Sequence, residues 1–187
     1  MDTGKIVEYI DRQKIICAVV LEVKKSRLRL LTENNREVNL SAGRLLHQSR
    51  SQMDLGVGRD RLVESLQEKA RQRDKLTSQV DIEELWEVLN TEQEWIDLET
   101  MTDFCFPDQP DGDHESAVVR AFFENRFYFK FRTDAFFPNT EAQVERLFNQ
   151  AKEEDRRNRL IEAGGHWMKE VLQHGTEPSA SDMGDDR

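Results

Sequence analysis

Eight cations are the side chains in this sequence best suited to act on a ligand: Lys24, Lys25, Arg27, Arg29, Arg36, Arg44, Lys130 and Arg132. Six of them fall within 21 residues near the N-terminus, and two follow in an aromatic stretch. Cations spaced this way suit a phosphate backbone, whose charge they can neutralise without reading base identity. The chain as a whole carries a net charge of −10, which argues against a general nucleic-acid binder. That figure hides an asymmetry. Residues 1–80 hold 16 Lys and Arg against 11 Asp and Glu, whereas the remaining residues hold 11 against 26. A contact to nucleic acid therefore belongs in the first half, and the acidic half suits protein or water. The bland alternative for the basic cluster is the polar face of a small sheet, with Lys guarding edge strands.

No residue set spells out catalysis. Cys17 and Cys105 lie too far apart for a metal-binding or disulfide spacing, and each sits among apolar neighbours, as a core thiol does. His47, His114, His166 and His174 pair with neither a Cys nor another His at ligand spacing. Glu83-Glu84 reads as a solvated helix face. Gly164-Gly165 lacks the strand and Lys-Ser/Thr of a phosphate loop and reads as a helix stop. Asp182, Asp185 and Asp186 offer oxygen ligands of the kind divalent metals favour, but in a Ser/Gly/Pro-rich tail with no core to fix them. No cofactor is expected in this chain. The charged N-terminus lacks a signal-peptide apolar stretch, and no run of apolar residues is long enough to span a membrane, so a soluble, cytoplasmic chain is expected.

The elements that must position the cations follow from periodicity. Residues 4–48 alternate short Ile/Val/Leu-rich runs (5–10, 15–23, 27–32 and 37–40) with polar breaks, the signature of four or five short antiparallel strands. Arg27-Leu28-Arg29-Leu30 has period two, which puts both arginines on one face and both leucines on the other. Lys24-Lys25 falls at a hairpin tip, and Asn34-Asn35 suits a tight turn. Leu62, Val63, Leu66 and Ala70 recur at helical spacing. Asp81 with Glu84 forms a capping-box signal for a helix whose stripe is Ile82, Leu85, Trp86 and Leu89. A second short helix is expected around 98–104 and a third over 114–125, then two strands, 127–131 and 135–137. The alternating Phe127, Phe129 and Phe131 read as core in preference to a base-stacking platform. A long charged helix covers 141–160, and a shorter helical piece covers 166–173.

The expected fold class is α+β: a small SH3-like β-barrel (1–50), a linker helix (51–80), a winged helix-turn-helix module (81–140), a charged helical extension (141–173), and a disordered tail or linker (174–187). The third helix of the module, HESAVVRAFFEN, offers Arg120 and Asn125 against Glu115 and Glu124. Asp108, Asp111 and Asp113 precede it, so sequence-specific DNA binding is not expected.

Two stretches carry a resemblance. GKIVEYIDRQKIICAVVLEVKKSRLRLLTENNREVNLSAGRLLH resembles the opening segment of a branch of the ribonuclease II family. ELWEVLN, DLETMTDFCF and SAVVRAFFENRFYFKFRTDAFFPNTEAQVERL resemble the winged-helix segment that follows it there. The resemblance covers roughly residues 4 to 170 and rests on apolar and aromatic patterning, not on catalytic signatures. It implies a non-catalytic accessory region that guides single-stranded RNA, weakly and without sequence preference, toward the channel of a hydrolytic 3′–5′ exoribonuclease. The family's Mg²⁺-holding aspartates belong to a catalytic domain that this sequence does not include, and that domain would be a partner of the region. A protein-interaction adaptor with no RNA role is the rival reading, since both module types also dock proteins.

Overall fold

The structure is a computed structural model that describes residues 2–132 and 134–174, with residues 164–168 and 170–174 described by backbone alone. The fold is α+β. It divides into two compact units, Met1–Thr140 and Glu141–Arg187.

The first unit opens with five strands: β1 (Lys5–Asp11), β2 (Lys14–Lys24), β3 (Arg27–Thr32), β4 (Glu37–Ser41) and β5 (Leu45–Gln52). They form one antiparallel sheet in the order β4-β3-β2-β1-β5. No ladder joins β4 to β5 among the described residues, so the sheet is curved and open, where the sequence suggested a closed barrel. Register irregularities at Lys5/Val7, Glu8/Tyr9 and Val20/Glu22 supply the bends.

Both faces of the sheet are apolar, which explains why its strands read as nearly continuous Ile/Val/Leu runs. Val7, Tyr9, Ala18, Val20, Leu28, Leu30 and Leu40 cluster on one face. Ile6, Cys17, Val19 and Leu31 face the other way, against Leu62, Val63 and Leu66 of helix α1 (Arg59–Thr77). Each of these clusters excludes water from several large side chains, which at about 25 cal/mol per Å² is the main force holding the sheet.

The chain enters this sheet at a point only glycine fills well. Gly4 has φ +82°, and a Cβ placed there would come within 2.6 Å of the Met53 carbonyl oxygen. Its amide donates to the Val20 carbonyl at 2.7 Å, and its own carbonyl accepts from the Met53 amide at 2.8 Å. These bonds fix the start of β1 between β2 and the end of β5. Gly4→Ala is expected to destabilise the chain by about 2–3 kcal/mol, from left-handed strain together with the backbone clash. A shift in the urea midpoint at constant m-value measures it.

Three further helices follow: α2 (Ile82–Leu89), α3 (Leu98–Cys105) and α4 (Gly112–Glu124). Asp81, Asp97 and Asp111 cap them with side-chain hydrogen bonds, and Asp111 completes a capping box with His114. A two-residue strand, β6 (Ile96–Asp97), precedes α3. With β7 (Phe129–Arg132) and β8 (Ala135–Pro138) it forms a second sheet in the order β6-β8-β7. Phe122 of α4 packs on Phe129 and Phe136 with ring centroids 4.8 and 4.1 Å apart. Asn139 ties the end of β8 to the segment that leads into β7, its amide side chain donating to the Phe127 carbonyl at 2.7 Å. Its carbonyl accepts from the Trp86 indole at 2.6 Å.

α4 is the central helix of this unit. Ten of its thirteen residues are buried, so it presents almost no face to solvent. It packs on α1, α3 and β5.

The second unit is described by helix α5 (Glu141–His174). The helix runs unbroken through Gly164-Gly165, where the sequence suggested a stop. The two glycines lower helix propensity by about 1 kcal/mol each relative to alanine, which the run of good helix formers on either side outweighs. The tail from 175 onward, with Asp182, Asp185 and Asp186, lies outside the described residues.

Candidate nucleic-acid interface

The β2–β3 hairpin gathers most of the cations. Lys24 pairs with Arg27 across a two-residue loop of Lys25 and Ser26, and Lys25 adopts φ +52° to close it. The Ser26 carbonyl accepts a hydrogen bond of 3.1 Å from the Ala42 amide. That bond fastens the hairpin tip to the short turn Ala42–Arg44. Lys24, Lys25 and Arg27 therefore stand exposed at this tip, and Arg44 is exposed at the end of the turn fastened to it, just before Leu45 pairs with Tyr9. As period two requires, Arg27 and Arg29 are exposed and Leu28 and Leu30 are buried.

Carboxylates partly neutralise this set. The Lys24 amino group lies 3.0 Å from Glu22, and Arg29 lies 3.3 Å from Glu22 and 3.6 Å from Glu37. Arg59 reaches the same Glu37 and Asn35. Exposed pairs of this kind are worth about 0–1 kcal/mol, so they order the side chains more than they stabilise the fold. Lys25, Arg27 and Arg44 make no ion pair among the described residues, and they are the cations most available to an anion.

Arg36 is not part of this group. It follows the Thr32–Arg36 turn, in which Asn35 takes φ +56° and the Thr32 amide donates to the Arg36 carbonyl at 2.9 Å. That turn lies at the opposite end of β3 from Arg27, about 17 Å away at 3.3 Å per residue. Lys130 and Arg132 are exposed on β7 of the other sheet, and the Lys130 amino group lies 5.5 Å from the Phe137 ring centroid. Phe129 is buried and Phe131 is 39% exposed, so of the two rings on β7 only Phe129 is core.

A buried ionic network went unseen in the sequence. Glu8 of β1 is wholly buried and meets two guanidinium groups. Its Oε1 accepts from Arg73 Nη1 at 2.9 Å, Arg120 Nη2 at 2.6 Å and Arg120 Nε at 3.1 Å. Its Oε2 accepts from the Ser116 hydroxyl at 2.6 Å. Arg73 Nε donates to Asp113 Oδ1 at 2.8 Å, and Lys69 reaches Asp113 Oδ2 at 2.7 Å. Arg73 Nη2 lies as close to Asp113 but without hydrogen-bond alignment. Arg120 also pairs with the exposed Asp74.

Burial alone would raise the Glu8 carboxyl, but Arg73 and Arg120 together with the Arg120 and Ser116 hydrogen bonds outweigh it, and the pKa sits below the usual value of 4.5. A carboxylate held this firmly between two guanidinium groups is a poor base, so the network reads as structural. Arg120, expected on an exposed helix face, is one of its members and has no charge to offer a phosphate.

Burial also acts on the two thiols. It pushes the Cys17 thiol up to about 12 and the Cys105 thiol up to about 11, so neither is a thiolate at neutral pH. Among the described residues, no group of three or more His, Cys, Asp and Glu is placed to hold a metal ion. No helix among them is long and apolar enough to cross a membrane.

His47 sits opposite Glu8 in the β1–β5 register, buried, with no hydrogen-bond partner at either ring nitrogen among the described residues. Burial lowers its pKa below 6.5, against the smaller pull of Glu8 and together with the push of Arg73. The unfolded ring therefore binds its proton at a higher pH than the folded one. Stability is complete above the unfolded value of 6.5 and falls as pH drops below it, toward the lower folded value. His47→Leu is expected to flatten that part of the curve, as read from urea midpoints at about pH 5.5, 6.5 and 7.5. An unchanged slope would assign the acid sensitivity to other groups.

No family model, curated protein or solved structure matches this chain.

Proposed function

We propose that this chain is an RNA-guiding, non-catalytic accessory region of a ribonuclease II-type 3′–5′ exoribonuclease. The observation that carries the reading is the set of exposed cations Lys24, Lys25 and Arg27 at the β2–β3 tip with Arg44 on the turn bonded to it, three of the four free of any acidic partner among the described residues. A group of exposed cations on a small sheet contacts phosphates without selecting bases, as a guide for single-stranded RNA must.

The finer fold assignment belongs to the same reading. A five-stranded meander whose last strand returns beside the first is consistent with an SH3-like module left open at one seam. Three helices leading into a hairpin, with β6 added to the β8 edge, support a winged helix. Its third helix is buried and bears one cation, Arg120, already committed to Glu8 and Asp74, which disfavours reading of a DNA groove. The wing cations Lys130 and Arg132 supply a second, lesser contact. Mg²⁺ chemistry would belong to a catalytic domain outside this sequence.

The test is a labelled single-stranded RNA titrated with the chain at about 50 and 200 mM salt. Four phosphate contacts give a salt slope near −2.8, so the fourfold rise in salt should weaken binding about 50-fold. The RNA should remain intact with Mg²⁺ present. Absence of binding at the lower salt would refute the guiding role.

A further inference from the structure

The helices α2 and α3 leave a cleft between them that neither RNA nor the rest of the first unit explains. Its volume is about 300 Å³, and its lining includes Val80, Leu85, Val88, Leu89, Phe104 and Cys105. Val88 is 69% exposed and Phe104 is 55% exposed, although each lies beside buried apolar neighbours on its own helix. Large apolar side chains grouped at the mouth of a cleft mark a surface that a partner covers. The volume sits at the lower limit for small-molecule sites, and among the described residues the only charged groups lining the cleft are the carboxylates of Asp81 and Glu84.

The charge around the cleft limits what can fill it. From Leu76 to Val119 the sequence holds 13 Asp and Glu and not one Lys or Arg. Asp81 and Glu84 line the cleft itself, and Glu83, Glu87 and Asp103 are exposed on the same two helices. Phosphates are repelled from such a surface. A second copy placed symmetrically would bring the same carboxylates against themselves, which costs affinity. An apolar cleft between two helices, rimmed by one sign of charge, is complementary to an amphipathic helix whose flanks carry the other sign.

We propose that the α2–α3 cleft docks one basic amphipathic helix of a partner protein. Apolar side chains spaced i, i+3 or i+4, and i+7 on that helix sit on Val88, Leu85 and Phe104, and its Lys or Arg flanks meet Asp81, Glu84 and their neighbours. The acidic half of the chain is then a docking face, built on different elements from the basic hairpin tip.

A fluorescein-labelled 18-residue peptide of Leu and Lys, with Leu at helical spacing, serves as the probe against the full chain. Two controls have the same length: one with Glu in place of Lys, and one with the Leu and Lys order scrambled. The first peptide is expected to bind the wild-type chain and shift backbone amides of residues 79–89 and 104–105. Val88→Asp and Phe104→Ser should each weaken it at least tenfold without moving the thermal midpoint, because both side chains point largely into water. The Leu/Glu peptide should not bind. Equal binding of the scrambled peptide would reduce the effect to bulk charge and overturn the proposal, as would affinity unchanged in Val88→Asp. A wild-type dimer that Val88→Asp dissolves would overturn it too, by giving the cleft to a second copy. RNA binding should be the same in Val88→Asp and wild type, so the two functions fail separately.

Discussion

Arg73→Met is expected to lower the stability of the chain by about 3–5 kcal/mol, the usual cost of removing one partner from a buried ionic group. Arg73 is completely inaccessible to water and holds Glu8 on one side and Asp113 on the other. Its loss leaves Asp113 with Lys69 alone and Glu8 with Arg120 and Ser116. Both carboxylates are then under-compensated in a place water cannot reach. A domain of ordinary stability has only about 5–15 kcal/mol to lose, so the effect should be plain in a urea titration.

Glu8→Gln should act in the same direction, since it leaves two guanidinium groups facing one neutral amide. The comparison that isolates the ionic cause is the double change Glu8→Met with Arg73→Met, which should cost less than the sum of the single changes. Additive costs would assign the loss to packing volume alone. The Glu8 contribution has a defined pH window: with its folded pKa below 4.5, it is complete above the unfolded value and is lost as pH falls through the folded one.

The second large effect concerns RNA. Changing Lys25, Arg27 and Arg44 together to alanine should reduce the salt slope of binding by about 2.1, at about 0.7 for each phosphate that is no longer neutralised. Affinity at about 50 mM salt should fall by at least tenfold. Arg29→Ala and Arg36→Ala form the informative contrast. Arg29 is already shared between Glu22 and Glu37, and Arg36 lies at the far end of β3. Each should alter affinity less than threefold. Equal losses from all five positions would spread the RNA over the whole sheet, and the hairpin tip would lose its special place.

Much of the first unit was visible in the periodicity, because its elements are short and strongly patterned. β1 to β4 and α1 to α3 fall within about two residues of where alternation and caps put them. Where sequence reasoning missed, the cause lay in interactions distant along the chain. β5 extends to Gln52 through a polar run, His-Gln-Ser-Arg-Ser-Gln, held by pairing with β1 and not by its own propensity. β6 is two residues long and exists because β8 offers it an edge. The open seam of the first sheet depends on register shifts that no local pattern announces.

The cations at the hairpin tip were legible because turn and strand place them locally, but the carboxylates that hold Arg29, Glu22 and Glu37, come from the strands on either side of it. The ionic network left one trace. The apolar stripe of α1 runs through Leu62, Leu66 and Ala70, and its next positions are Arg73 and Thr77. A charged residue where a buried one was due, with Glu8 likewise inside the KIVEYI strand, signals a pair that must meet in the interior.

That network also sets an order of events for a chain being synthesised from its N-terminus. All strands of the first sheet lie within the first 52 residues, so the sheet can begin to form early. Glu8 then waits for Arg73, and both wait for Asp113, Ser116 and Arg120, whose partners lie 40 to 112 positions earlier in the chain. At roughly 5–20 residues per second, several seconds separate the appearance of the carboxylate from that of its last guanidinium. Over that interval the nascent sheet holds a charge it cannot bury. Its outer face must therefore stay hydrated, and open to a chaperone, until α4 leaves the ribosome and closes over it.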